Sequence, residues 1–322
     1  MDVCYGKDYK HLNEGNFPVL GTGGVMGYVD EYLYSGESIL IGRKGTIDKP
    51  KYINGPFWTV DTLFYTKIKE GNPKFIFYQL NKINWLKYNE ASGVPSLSAN
   101  NIKNIKIKIP SLEEQKKIAS FLSAVDKKIE LLEKKLVLYQ KIVNFNIFKI
   151  YSDINDYNEI KLKDIVRPYT SNLSINKLEE NQGNYPLYGA EGIIKHVDFY
   201  ELENPYISII KDGAGVGRLD LCKEFSSALG TLQCLIPNKD IDINFLYFYL
   251  KTLKFRKYIV GSTIPHIYFK DYSNERIKVP SLKDQQNIGN YFALLEKRND
   301  ILQKKIKIFN TFKQGLLRKM FV

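Results

Sequence analysis

The chain has 322 residues, 44% hydrophobic and 25% charged, a composition of about two folded domains that excludes a disordered tail. A net charge of +12 is spread over both halves, with 22 basic against 15 acidic side chains in residues 1–150 and 25 against 20 in the rest, which suits a polyanion as partner. No apolar run reaches the ~18 residues that span a bilayer, the first ten residues hold no signal stretch, and three scattered cysteines and three histidines with no CxxC argue against a disulfide framework or zinc site, so the expected compartment is the cytoplasm.

In chain order, short apolar runs broken by Gly, Asn and Pro come first and read as strands, at 38–47 and 57–66 among others. A helix is predicted over 73–83. A long helix follows over 111–150, where Ser111-x-x-Glu114 places an N-cap and its carboxylate before an apolar ladder. The ladder is Ile118, Leu122, Val125, Ile129, Leu132, Leu136, Tyr139 and Val143, a heptad seam. The second half repeats the order. Strands are predicted within 206–215 and 229–237, a helix over 243–253, and a second long helix over 281–322 behind Ser281-x-x-Asp284. Its ladder is Ile288, Phe292, Leu295, Asn299, Leu302, Ile306 and Phe309, with Leu316 and Met320 beyond.

The halves also match residue by residue. Phe17-Pro18-Val19-Leu20-Gly21 returns as Tyr185-Pro186-Leu187-Tyr188-Gly189, and Val29-Asp30 as Val197-Asp198, both at an offset of 168. Ile109-Pro110-Ser111-Leu112 returns as Val279-Pro280-Ser281-Leu282 at 170, with Gln115 matching Gln285, Ile118 matching Ile288, and Lys134-Lys135 matching Lys304-Lys305. The repeating unit is a domain, far longer than a solenoid repeat. The expected fold is α+β: two pseudo-repeated, strand-rich domains at 1–110 and 151–280, separated by two long antiparallel coiled-coil helices at 111–150 and 281–322. Asn299 either fixes the register of the seam at some cost in stability or lies where the seam opens to solvent.

Catalytic motifs are missing. There is no GxxxxGK[ST], and the glycines at 21–24 and 213–217 do not form GxGxxG before a helix; they read as tight turns or as backbone close to a partner. His11, His196 and His266 have no triad context. Asn72-Pro73-Lys74-Phe75 and Asn204-Pro205-Tyr206 lack the second proline of an adenine-methyltransferase motif and read as turns. A binding protein is expected, not an enzyme, with no cofactor or metal of its own.

Three blocks carry a family resemblance: Phe-Pro-Val-Leu-Gly-Thr-Gly-Gly at 17–24, Ile-Gly-Arg-Lys-Gly-Thr-Ile at 41–47, and the junction Pro-Ser-Leu-x-x-Gln-x-x-Ile, present twice before a long helix. Over nearly its whole length the chain resembles the DNA specificity subunit of type I restriction-modification systems. The resemblance implies two target recognition domains that read a bipartite, asymmetric site in double-stranded DNA, with the helices as a ruler. It implies two adenine-N6 methyltransferase subunits as partners, with or without restriction subunits. Those partners would use S-adenosylmethionine, and ATP and Mg for restriction; the specificity subunit does no bond chemistry. Expected DNA contacts are Arg43, Lys44, Thr46, Lys49 and Lys51 with Ser96, Ser98 and Asn100 in the first domain. In the second they are Lys211, Arg218, His266, Tyr268 and Lys270. One departure stands out: the second copy opens with a predicted strand at 159–164, which the first copy lacks. Three alternatives remain: a self-contained methyltransferase or nuclease, a coiled-coil scaffold without DNA, and a DNA reader in a methylation-only system.

Overall fold

A computed structural model describes residues 1–178 and 180–321. The chain forms two compact units, one of Met1–Glu133 with Lys305–Val322, the other of Lys134–Lys304.

Unit 1 opens with β1 (Asp2–Tyr5), β2 (Glu14–Gly21), β3 (Gly24–Val29), β4 (Tyr34–Gly42), β5 (Lys51–Thr59) and β6 (Leu63–Lys67), a sheet in the order β1-β6-β4-β5-β2-β3. All pairs are antiparallel except β2 with β5. Then come α1 (Pro73–Leu80), α2 (Ala99–Lys103) and the long α3 (Leu112–Ser152). The stretch at Asn72–Phe75, expected as a turn, is instead a helix start. Asn72 caps α1 by accepting from Phe75 N at 3.0 Å, and Pro73 fills the first position, where no amide hydrogen is needed. Ile39, Ile41, Phe64, Phe75 and Trp85 form the core, closed by Ala119 and Leu122 of α3.

Unit 2 takes the second part of α3 and holds β7 (Asn158–Lys161), α4 (Leu162–Ile165), β8 (Val166–Tyr169), β9 (Tyr185–Gly189), β10 (Gly192–Val197), β11 (Tyr206–Ile210), β12 (Leu219–Cys222), β13 (Ser227–Ala228), β14 (Leu232–Pro237), α5 (Ile243–Leu250), α6 (Phe269–Tyr272), β15 (Arg276–Val279) and the first part of α7 (Leu282–Met320), whose remainder belongs to unit 1. Its strands follow the plan of unit 1, but the counterpart of β5 is broken into β12 and β13. The break is at Phe225, whose φ of 49° takes the chain out of extended geometry. One sheet therefore becomes two, β12-β11-β14-β8 and β10-β9-β13. The ribbon β7–β15 has no equivalent in unit 1, where residues 105–111 pair with no strand among the described residues. Val279 is accordingly 7% exposed and its counterpart Ile109 55%.

The repeated residues have physical reasons. Asp30 accepts two bonds from Asn13, at 3.1 and 3.0 Å; Asp198 and Asn181 exchange two, at 2.8 and 3.1 Å, so each pair clips a strand to the loop before it. Ser111 and Ser281 cap the long helices, accepting from Glu114 N and Asp284 N at 3.3 and 3.2 Å. The buried Gln115 accepts from Asn72 N and donates to Pro110 O, both at 2.8 Å. Gln285 does the same with Asp242 N (2.9 Å) and Pro280 O (3.0 Å) and also reaches Asp240 O at 3.2 Å. Each glutamine thus ties its long helix to the cap residue of the short one.

Within each unit the segments of α3 and α7 run antiparallel. In unit 2, Tyr139 OH donates to Leu295 O at 3.2 Å while Asn146 reaches Tyr291 at 3.3 Å. In unit 1, Lys313 pairs with Asp126 at 2.6 Å, and Leu317 and Phe321 share a core cluster with Ala119 and Leu122. Leu122, Val125, Ile129, Leu132, Phe292 and Leu302 are buried; Ile118, Leu136, Tyr139, Ile288, Leu295, Asn299, Ile306 and Phe309 are half-buried. The seam extends beyond the predicted ladder, to buried Ile147 and Tyr151 on α3. At the far end of α7 the buried positions are Leu317 and, just past the helix, Phe321, with Leu316 and Met320 half-buried beside them.

Asn299 is not at a solvent-open stretch. Its Oδ1 is buried and has no hydrogen-bond partner among the described residues, beside a cavity of about 110 Å³ lined by apolar Val143, Ile147, Phe248 and Leu295 and by polar Gln140, Asn144, Lys251 and Glu296. An orphaned buried carbonyl costs more than the amide contributes, so Asn299→Leu is expected to stabilise the isolated chain by about 1–2 kcal/mol. A urea midpoint at or below wild type would contradict this.

Candidate nucleic-acid interface

In unit 1, β4 ends at Gly42 and the chain turns through Arg43–Thr46 before β5. This turn is stitched to the loop at 95–98: Gly45 N donates to Pro95 O and Leu97 N to Arg43 O, both at 2.9 Å, with Lys44 bridged to Ser96. Two polar segments about fifty residues apart in sequence become neighbours. Lys44, Thr46, Lys49 and Asn100 are exposed. Arg43 is anchored: its guanidinium donates to Asp61 O at 3.0 Å and lies over the Tyr5 ring at 5.3 Å. Lys51 opens β5, and its ammonium donates to Thr22 O at 3.5 Å, bringing the β2–β3 turn to the same face. Ser98 is engaged elsewhere, capping α2 by accepting from Asn101 N at 3.2 Å and donating to Glu90 at 2.8 Å.

Unit 2 repeats the arrangement. Gly213 N donates to Pro265 O and Ile267 N to Lys211 O, both at 2.9 Å, and Asp212 bridges His266. The turn at 211–217 is closed by Gly217 N to Ile210 O at 2.8 Å, with Arg218 exposed at its end. His266 meets the Tyr268 ring edge-on at 5.0 Å, and the Lys270 ammonium lies 5.4 Å from that ring.

The matching stitches identify equivalent positions: Arg43 with Lys211, Lys44 with Asp212, Ser96 with His266, Ser98 with Tyr268 and Asn100 with Lys270. One backbone frame carries different side chains in the two units. Such a surface offers cations for phosphates and hydroxyl, amide and imidazole groups for base edges.

Some features of this face were not expected. Lys254 and Arg256 flank Arg218 at a cavity of about 730 Å³; the cationic run from Lys251 to Lys257 was the available signal. The hairpin β2–β3 exposes Val25 and Met26, and β9–β10 exposes Ile193 and Ile194 at the same offset of 168. The long helices also carry exposed apolar side chains outside the seam: Leu131, Leu138 and Phe145 on α3, and Leu294, Ile301 and Ile308 on α7, each set at heptad spacing. Burial pushes the Cys222 thiol up to about 12 and raises Cys234 as well, so neither is a nucleophile at neutral pH. Among the described residues no helix is long and apolar enough to cross a membrane.

Residues 4–138 and 154–308 each match the profile of the family described as the type I restriction modification DNA specificity domain. A Mycoplasma pneumoniae protein named as a type I specificity subunit is 26% identical over 307 residues, covering 88% of this chain and 82% of that protein. A Haemophilus influenzae protein named as a type I restriction enzyme specificity subunit is 24% identical, over 94% and 83%. The fold resembles the type I restriction-modification S subunit of M. genitalium, with a TM-score of 0.76 at 21% identity, over all of this chain and 93% of that one.

Proposed function

The chain belongs to the type I restriction-modification DNA specificity family, and on that premise we propose how its two units divide recognition. It is the non-catalytic, sequence-reading subunit of such a system. Unit 1 reads one half of a bipartite, asymmetric site in double-stranded DNA and unit 2 reads the other. The observation that carries this is the pair of stitched loops: the same frame in both units, with different side chains at five equivalent positions. Two readers of one half-site would have no need to differ there.

Lys44, Lys49 and Lys51 in unit 1, and Arg218 and Lys270 in unit 2, hold phosphates and fix register. Arg43, Thr46, Ser96 and Asn100, with Lys211, His266 and Tyr268, face base edges; Ser98 shapes its loop as a helix cap. Recognition is assigned to 1–110 and 151–280, and spacing to the helices at 111–150 and 281–322. The exposed apolar heptads on α3 and α7 suit two adenine-N6 methyltransferase subunits, with restriction subunits joining the assembly where the system has them. S-adenosylmethionine, ATP and Mg belong to those partners, which also take the target adenine out of the stack. The compartment is the cytoplasm.

A genome-wide N6-methyladenine map with and without the gene tests this reading. The expected result is loss of one split motif, two short blocks around a fixed gap. An unchanged map would reject it.

A further inference from the structure

The two most exposed large hydrophobic side chains among the described residues are Val94, at 67%, and Ile264, at 66%. They occupy the same place in the two repeats. Each precedes the proline whose carbonyl accepts from the glycine turn, Pro95 from Gly45 and Pro265 from Gly213, both at 2.9 Å. A single exposed apolar residue is ordinary on a protein surface; the same one at the tip of the same loop in both units calls for a cause.

Both loops are built to hold their tips out. In unit 2, Val260 and His266 exchange backbone bonds of 2.9 and 2.8 Å, closing the loop. Gly261 allows the closure: its φ is 90°, and an added Cβ would lie 2.5 Å from Ile264 O. In unit 1, Asn89 closes the loop with its side chain, accepting from Ala91 N at 3.1 Å and Ser96 N at 2.9 Å. A following proline confines each tip residue to extended backbone. The stitches set each tip loop against a cationic turn, Arg43–Lys44 in one unit and Lys211 in the other.

Val94 alone in unit 1, or Ile264 with the less exposed Val260 in unit 2, is too small to be a protein-docking patch, which needs hundreds of Å² of contiguous apolar surface. The apolar group presented by the DNA major groove is the 5-methyl of thymine. Building on the specificity reading above, we propose that Val94 and Ile264 each pack against a thymine methyl in their half-site and so determine that base pair. The polar neighbours read hydrogen-bonding edges, and these two residues read the methyl group that those neighbours cannot.

The test uses the full chain with its methyltransferase subunits, and duplexes carrying the motif mapped in wild-type cells. Each thymine is replaced in turn by uracil, which removes the methyl alone. In each half-site one such replacement is expected to weaken binding about fourfold, the worth of one buried methyl. Ile264→Ser is expected to weaken the unmodified duplex by the same factor and to abolish uracil sensitivity in one half-site only, leaving the other intact. Val94→Ser is expected to do the reverse. Both side chains are exposed, so melting is expected to stay unchanged. Indifference of wild type to every uracil, or sensitivity retained in both variants, would overturn the proposal while leaving the specificity reading in place. Absence of any preferred sequence would overturn both.

Discussion

A Phe292→Ala variant is expected to lose about 3–5 kcal/mol of stability, since a wholly buried aromatic leaves a cavity that its neighbours fill only in part. Phe292 is 0% exposed on α7. It stacks on Tyr151 of α3 at 5.8 Å between centroids and meets Phe248 of α5 at 5.2 Å. Tyr151 is itself fixed by donating to Phe245 O at 2.8 Å. One ring thus serves both the helix pair and the core of unit 2. The loss would be a large share of the 5–15 kcal/mol that typically holds a domain folded. A urea midpoint within experimental error of wild type would show that the ring is not the keystone this packing makes it.

Gln285→Leu is expected to cost about 2–4 kcal/mol by a different route. The side chain keeps its volume, but Asp242 N and the carbonyls of Pro280 and Asp240 lose their partner in a site where Gln285 is 2% exposed. The penalty is that of desolvated groups left unpaired. Gln115→Leu should cost less, because Gln115 makes two such bonds instead of three. Denaturation gives the ranking, and hydrogen exchange gives the place. The Asp242 amide should lose protection in Gln285→Leu; protection equal to wild type would exclude the clamp.

Much of this was legible in the sequence because repetition acts as an internal control. Ser111, Gln115 and their copies are separated by fixed steps, and such steps on a helix translate directly into caps and clamps. The heptad ladder was legible for the same reason, but only where it stayed regular. At the far end of α7 the buried positions are Leu317 and Phe321, because there the helix packs on the sheet domain instead of only on α3. The helix expected over 73–83 is there as α1, but Asn72–Phe75 was also read as a turn, because Asn-Pro suits both a turn and a capped helix start; the apolar run behind it decides. The break at Phe225 could not be read at all, since its left-handed φ follows from tertiary packing in a residue type that seldom adopts it. At the candidate interface the glycine turns and basic residues were visible. What the sequence hid was the stitching that sets Lys44 against Ser96 and Asp212 against His266, a pairing of segments too distant for any local rule. Ser98, expected as a DNA contact, has its hydroxyl engaged as a helix cap, a common use of a serine before a short helix.

The division of the chain bears on how it is made. Unit 2 is a continuous stretch, Lys134–Lys304, whereas unit 1 needs Lys305–Val322 as well as Met1–Glu133. The ribosome therefore releases the first recognition domain long before the residues that finish its core. Leu317 and Phe321, 5% and 8% exposed, follow all of unit 2 in the chain. Until then the N-terminal half waits with part of its interior open, while the half synthesised later has everything it needs. The unit that begins first is thus the one whose core is completed last along the chain. A premature stop after Gly315 would injure the domain made first, and exposure to chaperones and proteases during synthesis should fall mainly on that same domain.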